Sequence, residues 1–145
     1  MEGIYPVSDV EFRIGTKGLN STTSDMVIVK DMETFGVSID NGVEEFIPMD
    51  QAGWSRRLVT SKSMTITLNG KRSYGDPGND YVASMAYALG PEATTKCEVE
   101  FPDGSALAMN AVINVTESGG GDSSAISALS FELMSDGKPT YTPGS

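Results

Sequence analysis

The residues most able to do chemistry in this chain are few, and none has the company that chemistry needs. There is no histidine, which removes the usual general base near neutral pH and the commonest metal ligand. The single cysteine, Cys97, alternates in phase with Val99 and Phe101 and reads as a small core residue, not a nucleophile. Glu44 beside Glu45, and Glu98 near Glu100, have the residue types of a glycosidase pair, yet any acidic strand protein offers such pairs. Gly-Lys-Arg-Ser at 70–73 lacks the preceding glycine of a phosphate loop, since Thr65 stands there. Asp76, Asn79 and Asp80 fit a turn and helix cap better than a calcium loop, whose spacing they do not match. Asn20-Ser21-Thr22 and Asn114-Val115-Thr116 are glycosylation acceptors only in a secretory setting. These patterns predict no enzyme, no metal and no cofactor.

Twenty acidic against ten basic residues give a net charge of -10 over 145 residues. That balance repels phosphate backbones and disfavours nucleic-acid binding. One cysteine leaves no disulfide framework, and no leader or membrane-spanning apolar run is read. The length suits one domain, 1–145, with no appended C-terminal unit. Charge is polarised along the chain. Residues 31–50 hold Asp31, Glu33, Asp40, Glu44, Glu45 and Asp50 without a base, whereas 56–72 hold Arg56, Arg57, Lys62, Lys71 and Arg72 without an acid.

The apolar pattern is mostly of period 2, in short runs separated by Gly, Pro, Asp and Asn, which predicts a mainly β fold. Strands are expected around Val10–Ile14, Met26–Val29 and Phe35–Ile39. Met64, Ile66 and Leu68 alternate with threonines before an Asn69-Gly70 turn. The best hairpin runs from Lys96 to Thr116 around Pro102-Asp103-Gly104. Beyond a glycine loop ending at Asp122, Leu129, Phe131 and Leu133 share one face of a last strand, and the tail from Ser135 reads as turn and loose chain. One helix is expected at about 80–89, capped by Asn79 or Asp80, with Val82, Met85, Ala86 and Leu89 as its apolar stripe. Val43–Met49 mixes acids with apolar residues and ends near Pro48, so it reads as an exposed arm or loop over about 40–62. Phe46, Ile47 and Met49 on that arm point to an interface. Trp54 admits two readings, a tryptophan under a loop or an interface anchor.

The order of these features resembles the tail tube proteins of long-tailed bacteriophages, in the branch of major tail proteins from phages of Gram-positive bacteria. The resemblance rests on VSDVEFRIGTKG, a long arm, WSRR, SMTITLNGKRSYGDPGNDYV with its helix, NAVINVTESGGGDSSAISALSFEL and the closing DGKPTY. It covers nearly the whole chain, and contractile-tail and bacteriocin tube subunits share the architecture. It implies an antiparallel β-sandwich or half-open barrel with one flanking helix. It further implies a virion tail subunit, made in the host bacterial cytoplasm, that assembles with itself into stacked hexameric rings. The implied partners are tape measure, tail terminator and distal tail proteins, with no membrane. DNA would pass through the lumen without specific binding. On this expectation Glu44, Glu45, Phe46, Ile47, Met49, Trp54, Arg56 and Arg57 form the subunit interface of the arm, the acidic stretch of one subunit meeting the basic stretch of the next. Ser38, Asp40, Glu98 and Glu100 are the lumen-facing candidates. The rival from another class is a carbohydrate-binding β-sandwich using Trp54, Tyr74, Tyr81 and Tyr87 as stacking surfaces.

Overall fold

A computed structural model describes residues 4, 6, 10–120, 123 and 126–143. Eight strands form one antiparallel sheet. They are β1 (Glu11–Gly15), β2 (Met26–Ile28), β3 (Met32–Phe46), β4 (Arg56–Lys71), β5 (Thr94–Glu100), β6 (Ala106–Gly120), β7 (Ala128–Ser135) and β8 (Thr140–Thr142). The lateral order is β2-β1-β5-β6-β7-β4-β3, with β8 beside β6. Among the described residues there is one α-helix, α1 (Pro77–Ser84), which follows β4.

Register divides the sheet into two faces, because cross-strand partners point the same way. Phe12 pairs with Val99 and Val99 with Leu107; Ile66 pairs with Leu133 and Leu133 with Ile113; Leu68 pairs with Phe131 and Phe131 with Val115. These rows form the core, joined by Val82 of α1, which is fully buried. The sheet curls until its ends approach, and Phe12 of β1 meets Phe35 of β3 edge-on at 4.8 Å. No ladder closes that seam, where an open groove of about 400 Å³ is lined by Val10, Phe12, Val29, Met32 and Phe35 among others. The architecture is a half-open barrel with one flanking helix.

Phe131 sits at the middle of this core, 1% exposed, between β4 and β6. Phe131→Ala should destabilise the fold by about 3–5 kcal/mol, a fall of roughly 10–15 °C in Tm for a domain of this size. A calorimetric scan showing a fall of only a degree or two would remove Phe131 from the centre of the core.

Several elements differ from their expected bounds, each for a tertiary reason. Val43–Phe46 is not a loop but the outer end of β3, continuous with Phe35–Ile39, because β4 supplies a partner for every residue from Val43 to Phe46. Pro48 falls beyond that strand and breaks nothing. Asn69-Gly70 is not a turn; it lies inside β4 and pairs with both β3 and β7. The tail returns as β8, pairing Leu107 with Tyr141. The helix starts earlier and ends sooner than expected. Pro77 occupies its first turn, so Asp76, not Asn79 or Asp80, is the N-cap. The chain tightens into a 3-10 turn at Met85–Tyr87, leaving Leu89 exposed and out of the stripe. Gly121 and Asp122 of the glycine loop lie outside the described residues.

Candidate functional site: the hairpin arm and the polar sheet face

β3 and β4 form one long ribbon, and only its inner half is held by the body. β7 pairs with β4 from Thr65 to Lys71, while Arg56 to Met64 has β3 as its sole ladder partner. At about 3.3 Å per residue the unsupported part extends roughly 30 Å. Its tip turns through Pro48, a 3-10 turn at Met49–Gln51, and Ala52 at φ 50, closed by the Trp54 N–H donating to the Gln51 carbonyl at 3.0 Å.

The arm is unusually apolar for a two-stranded ribbon in water. Val37, Ile39, Val43, Phe46, Ile47, Met49, Trp54, Leu58 and Val59 are all large and exposed. Along β3, Val37, Ile39 and Val43 alternate in phase with the core residue Phe35, and Val59 stands opposite Val43. The core-forming face of the sheet therefore continues outward along the arm with nothing over it among the described residues. Trp54 is 78% exposed, so of its two readings the one under a loop is set aside. Exposed contiguous apolar surface of this kind marks an interaction site.

The two charge runs prove to be the two strands of this ribbon. Antiparallel pairing sets Glu45 opposite Arg57, with Nη2 3.5 Å from Oε2, and Lys71 Nζ lies 3.4 Å from Glu33 Oε1 at the inner end. Part of the complementarity expected between subunits is thus used within one chain. Glu44 faces Leu58 across the ribbon, and the Arg56 guanidinium lies 5.7 Å from the Phe46 ring centroid. Both remain exposed.

The four lumen candidates fall on one face, the one opposite the core. Ser38 pairs with Thr65, Thr65 with Met134, Met134 with Val112, and Val112 with Thr94. Glu98 lies two pleats along β5 from Thr94 and shares its side, as Asp40 shares that of Ser38. Thr67, Asn114, Lys96 and Glu132 stand on the same surface, with Asn114 donating to Glu132 at 2.9 Å. Arg13, which sequence reasoning did not single out, organises its edge. Its guanidinium contacts Glu100 at 2.5 Å, Glu11 at 2.6 Å and Glu98 at 3.4 Å. The hydrogen bond to Glu100 and then the surrounding carboxylate charges hold its pKa above the ordinary value. Glu98 and Glu100 are therefore ion-paired, not free. The signal for this was the alternation of Glu11 and Arg13 in β1, but its pairing with β5 was not legible.

Burial excludes Cys97 as a nucleophile: desolvation pushes its thiol up to about 12. Among the described residues no group of three or more potential metal ligands is found, and no helix is long and apolar enough to cross a membrane.

No protein-family model and no curated protein sequence matches the chain. Solved structures do. The tail of an empty gene transfer agent particle, computed with helical refinement and C6 symmetry, matches at TM-score 0.75 and 12% identity, over 97% of this chain and 100% of that one. The virion of a native gene transfer agent particle matches at 0.71 and 15%, over 97% and 100%. A sheath-tube complex of an extracellular contractile injection system in the extended state matches at 0.62 and 14%, over 98% and 93%. At these identities the likeness is one of fold.

Proposed function

We propose that this chain is a structural subunit of a tail tube, assembling with copies of itself into stacked six-membered rings around a hollow lumen. The observation that carries the reading is the arm: a folded ribbon that extends the core's apolar face about 30 Å beyond the body and has no cover among the described residues. Burying that stripe requires another molecule, and the fold it springs from is the fold seen in gene transfer agent tails with C6 symmetry. A second copy of this chain is the occupant such a particle supplies in quantity. The role is structural, not catalytic, and one domain spanning 1–145 carries it.

The polar face then serves as the lumen wall. Ser38 and Asp40 on β3 and Glu98 and Glu100 on β5 share that face across the intervening strands, and a net negative wall lets DNA pass without sticking. On the arm, the stripe of Val37, Ile39, Val43 and Val59 makes the contact, and Phe46, Ile47, Met49 and Trp54 extend it toward the tip. Glu44 and Arg56, with what Glu45 and Arg57 retain after pairing with each other, set orientation more than affinity. The particle is a phage-like virion or gene transfer agent, or a contractile injection system, with other tail proteins capping and filling the tube. The narrower assignment to long-tailed phages of Gram-positive bacteria rests on the sequence resemblance alone.

Electron microscopy of the purified chain, concentrated at low salt, tests the reading. Rings or tubes with sixfold symmetry are expected. A strict monomer at every concentration, with affinity for immobilised polysaccharide, would favour the carbohydrate-binding alternative. That alternative has little geometric support, since Trp54 lies at the arm tip and Tyr74, packed against Arg72 at 4.3 Å, follows the other end of β4.

A further inference from the structure

The base of the arm is tied to the helix by one fully buried side chain. Asn79, in the first turn of α1, is 0% exposed. Its Nδ2 donates to the Lys30 carbonyl at 3.1 Å and the Lys71 carbonyl at 2.9 Å, spanning the chain that enters β3 and the end of β4. Its Oδ1 accepts from the Ser73 N–H and from Arg72 Nη1, each at 2.9 Å. Asp76 adds a second tie, accepting from the Lys30 N–H at 3.2 Å and the Asn79 N–H at 3.0 Å. The Lys71 N–H donates to the carbonyl of Asp31 at 2.8 Å, and Asp31 sits at φ 65. Two glycines let these backbones close up. A Cβ on Gly70 would lie 2.3 Å from the Asp31 carbonyl oxygen, and one on Gly78 would lie 2.5 Å from that of Ile28.

This knot fixes a register that the core does not share. At the base Met32 stands opposite Gly70, but from Thr34 to Gly42 the ribbon is one residue out of step with that pairing, until a second shift between Gly42 and Val43, with Thr60 left over on β4, restores it toward the tip. The core requires the shift: it sets Phe35 opposite Leu68 and Val37 opposite Ile66. Were the base register to continue, Phe35 would face Thr67 and turn to the polar side of the sheet. The knot holds one register, the core holds another, and Glu33 is left over between them as a bulge. A bulge bends its strand and increases local twist.

We infer that Asn79 is the positioning residue that aims the arm: by holding the base of β3 and β4 to α1 it forces the bulge at Glu33, and the bulge sets the angle at which the ribbon leaves the body. The ribbon is a long lever. Over the roughly 30 Å of ribbon beyond Met64 that β7 does not hold, a change of about 8° where it leaves the body moves the tip about 4 Å, enough to miss a docking surface. The consequence for assembly rests on the tail-tube reading, but the aiming itself does not.

The test is a distance measurement on the unpolymerised chain. Spin labels on Asp50→Cys at the tip and Glu92→Cys on the body, both exposed, report the arm's direction, and buried Cys97 stays unlabelled. Asn79→Ser should shift the mean distance by about 4 Å or more, or broaden its distribution to a similar extent, in a monomer that still melts cooperatively. Deletion of Glu33, with the knot intact, should shift it as well and serves if Asn79→Ser does not fold. An unchanged distribution in a folded Asn79→Ser, or in the Glu33 deletion, overturns the assignment. So does failure of both variants to fold, which would make the knot a device of global stability. A shifted arm in a variant that still forms normal tubes supports the aiming role while counting against the arm as the assembly element.

Discussion

Replacing Val43 and Val59 together by serine is expected to raise the concentration needed for tube formation by about thirtyfold while leaving the monomer folded. The two valines are cross-strand partners on the unsupported part of the arm, each 49% exposed in the single chain. Covering what remains exposed is worth about 1 kcal/mol for each side chain, hence about 2 kcal/mol for each arm contact. A stacked tube repeats that contact at every subunit, so the loss is felt at each step of growth. The cost to the monomer is small, because surface substitutions away from buried features stay near ±0.5 kcal/mol, and the core rows of β4 begin inward of Thr65. Sedimentation across a concentration series distinguishes the outcomes. Tubes appearing at the unaltered threshold would mean that the stripe is not the contact.

The second large effect concerns the polar face. Arg13 holds Glu98 and Glu100, so reversing those two glutamates alone would set three cations against one another and confuse a folding defect with a lumen effect. The informative variant combines Arg13→Glu with Glu98→Lys and Glu100→Lys, which keeps opposite charges facing and makes each subunit more positive by two charges. In a tube this adds a ring of cations at every level. Short double-stranded DNA should then be retained by variant tubes at about 50 mM salt and released by about 200 mM, the behaviour expected of phosphate contacts that release counterions. Unaltered tubes should retain none. Variant tubes that form normally yet hold no DNA at low salt would place this face away from the lumen.

Charge pairing is where the folded chain departs most from its linear pattern. Polarised charge in 31–50 and 56–72 suggested two faces on different subunits. Folded, the segments are neighbours in one ladder, and the pairs Glu45–Arg57 and Glu33–Lys71 draw on both runs. Opposite charges at cross-strand positions stabilise a hairpin modestly, so the same composition serves the arm's own integrity. The apolar residues between the charges, not the charges, are what the single chain leaves unsatisfied.

By itself the sequence determined the class and the two-sidedness of the inner strands. Period-2 alternation at Phe12–Ile14, Cys97–Phe101 and Leu129–Leu133 decides which side chains leave water, and burial follows that pattern because one face of a strand is all a sheet can bury. Missing histidine and an in-phase cysteine likewise leave histidine- and cysteine-based catalysis without its residues. Tertiary structure alone decided the arm and the knot. Val43–Phe46 has no decisive local preference, and it is a strand because β4 stands beside it. Asn79 looked like a helix cap because its ordinary local use is to accept a nearby N–H. It does accept from the nearby Ser73 N–H, but its Nδ2 also donates to the carbonyls of Lys30 and Lys71, the first 49 residues away in sequence, and a hydrogen bond over that separation leaves no periodic trace along the chain.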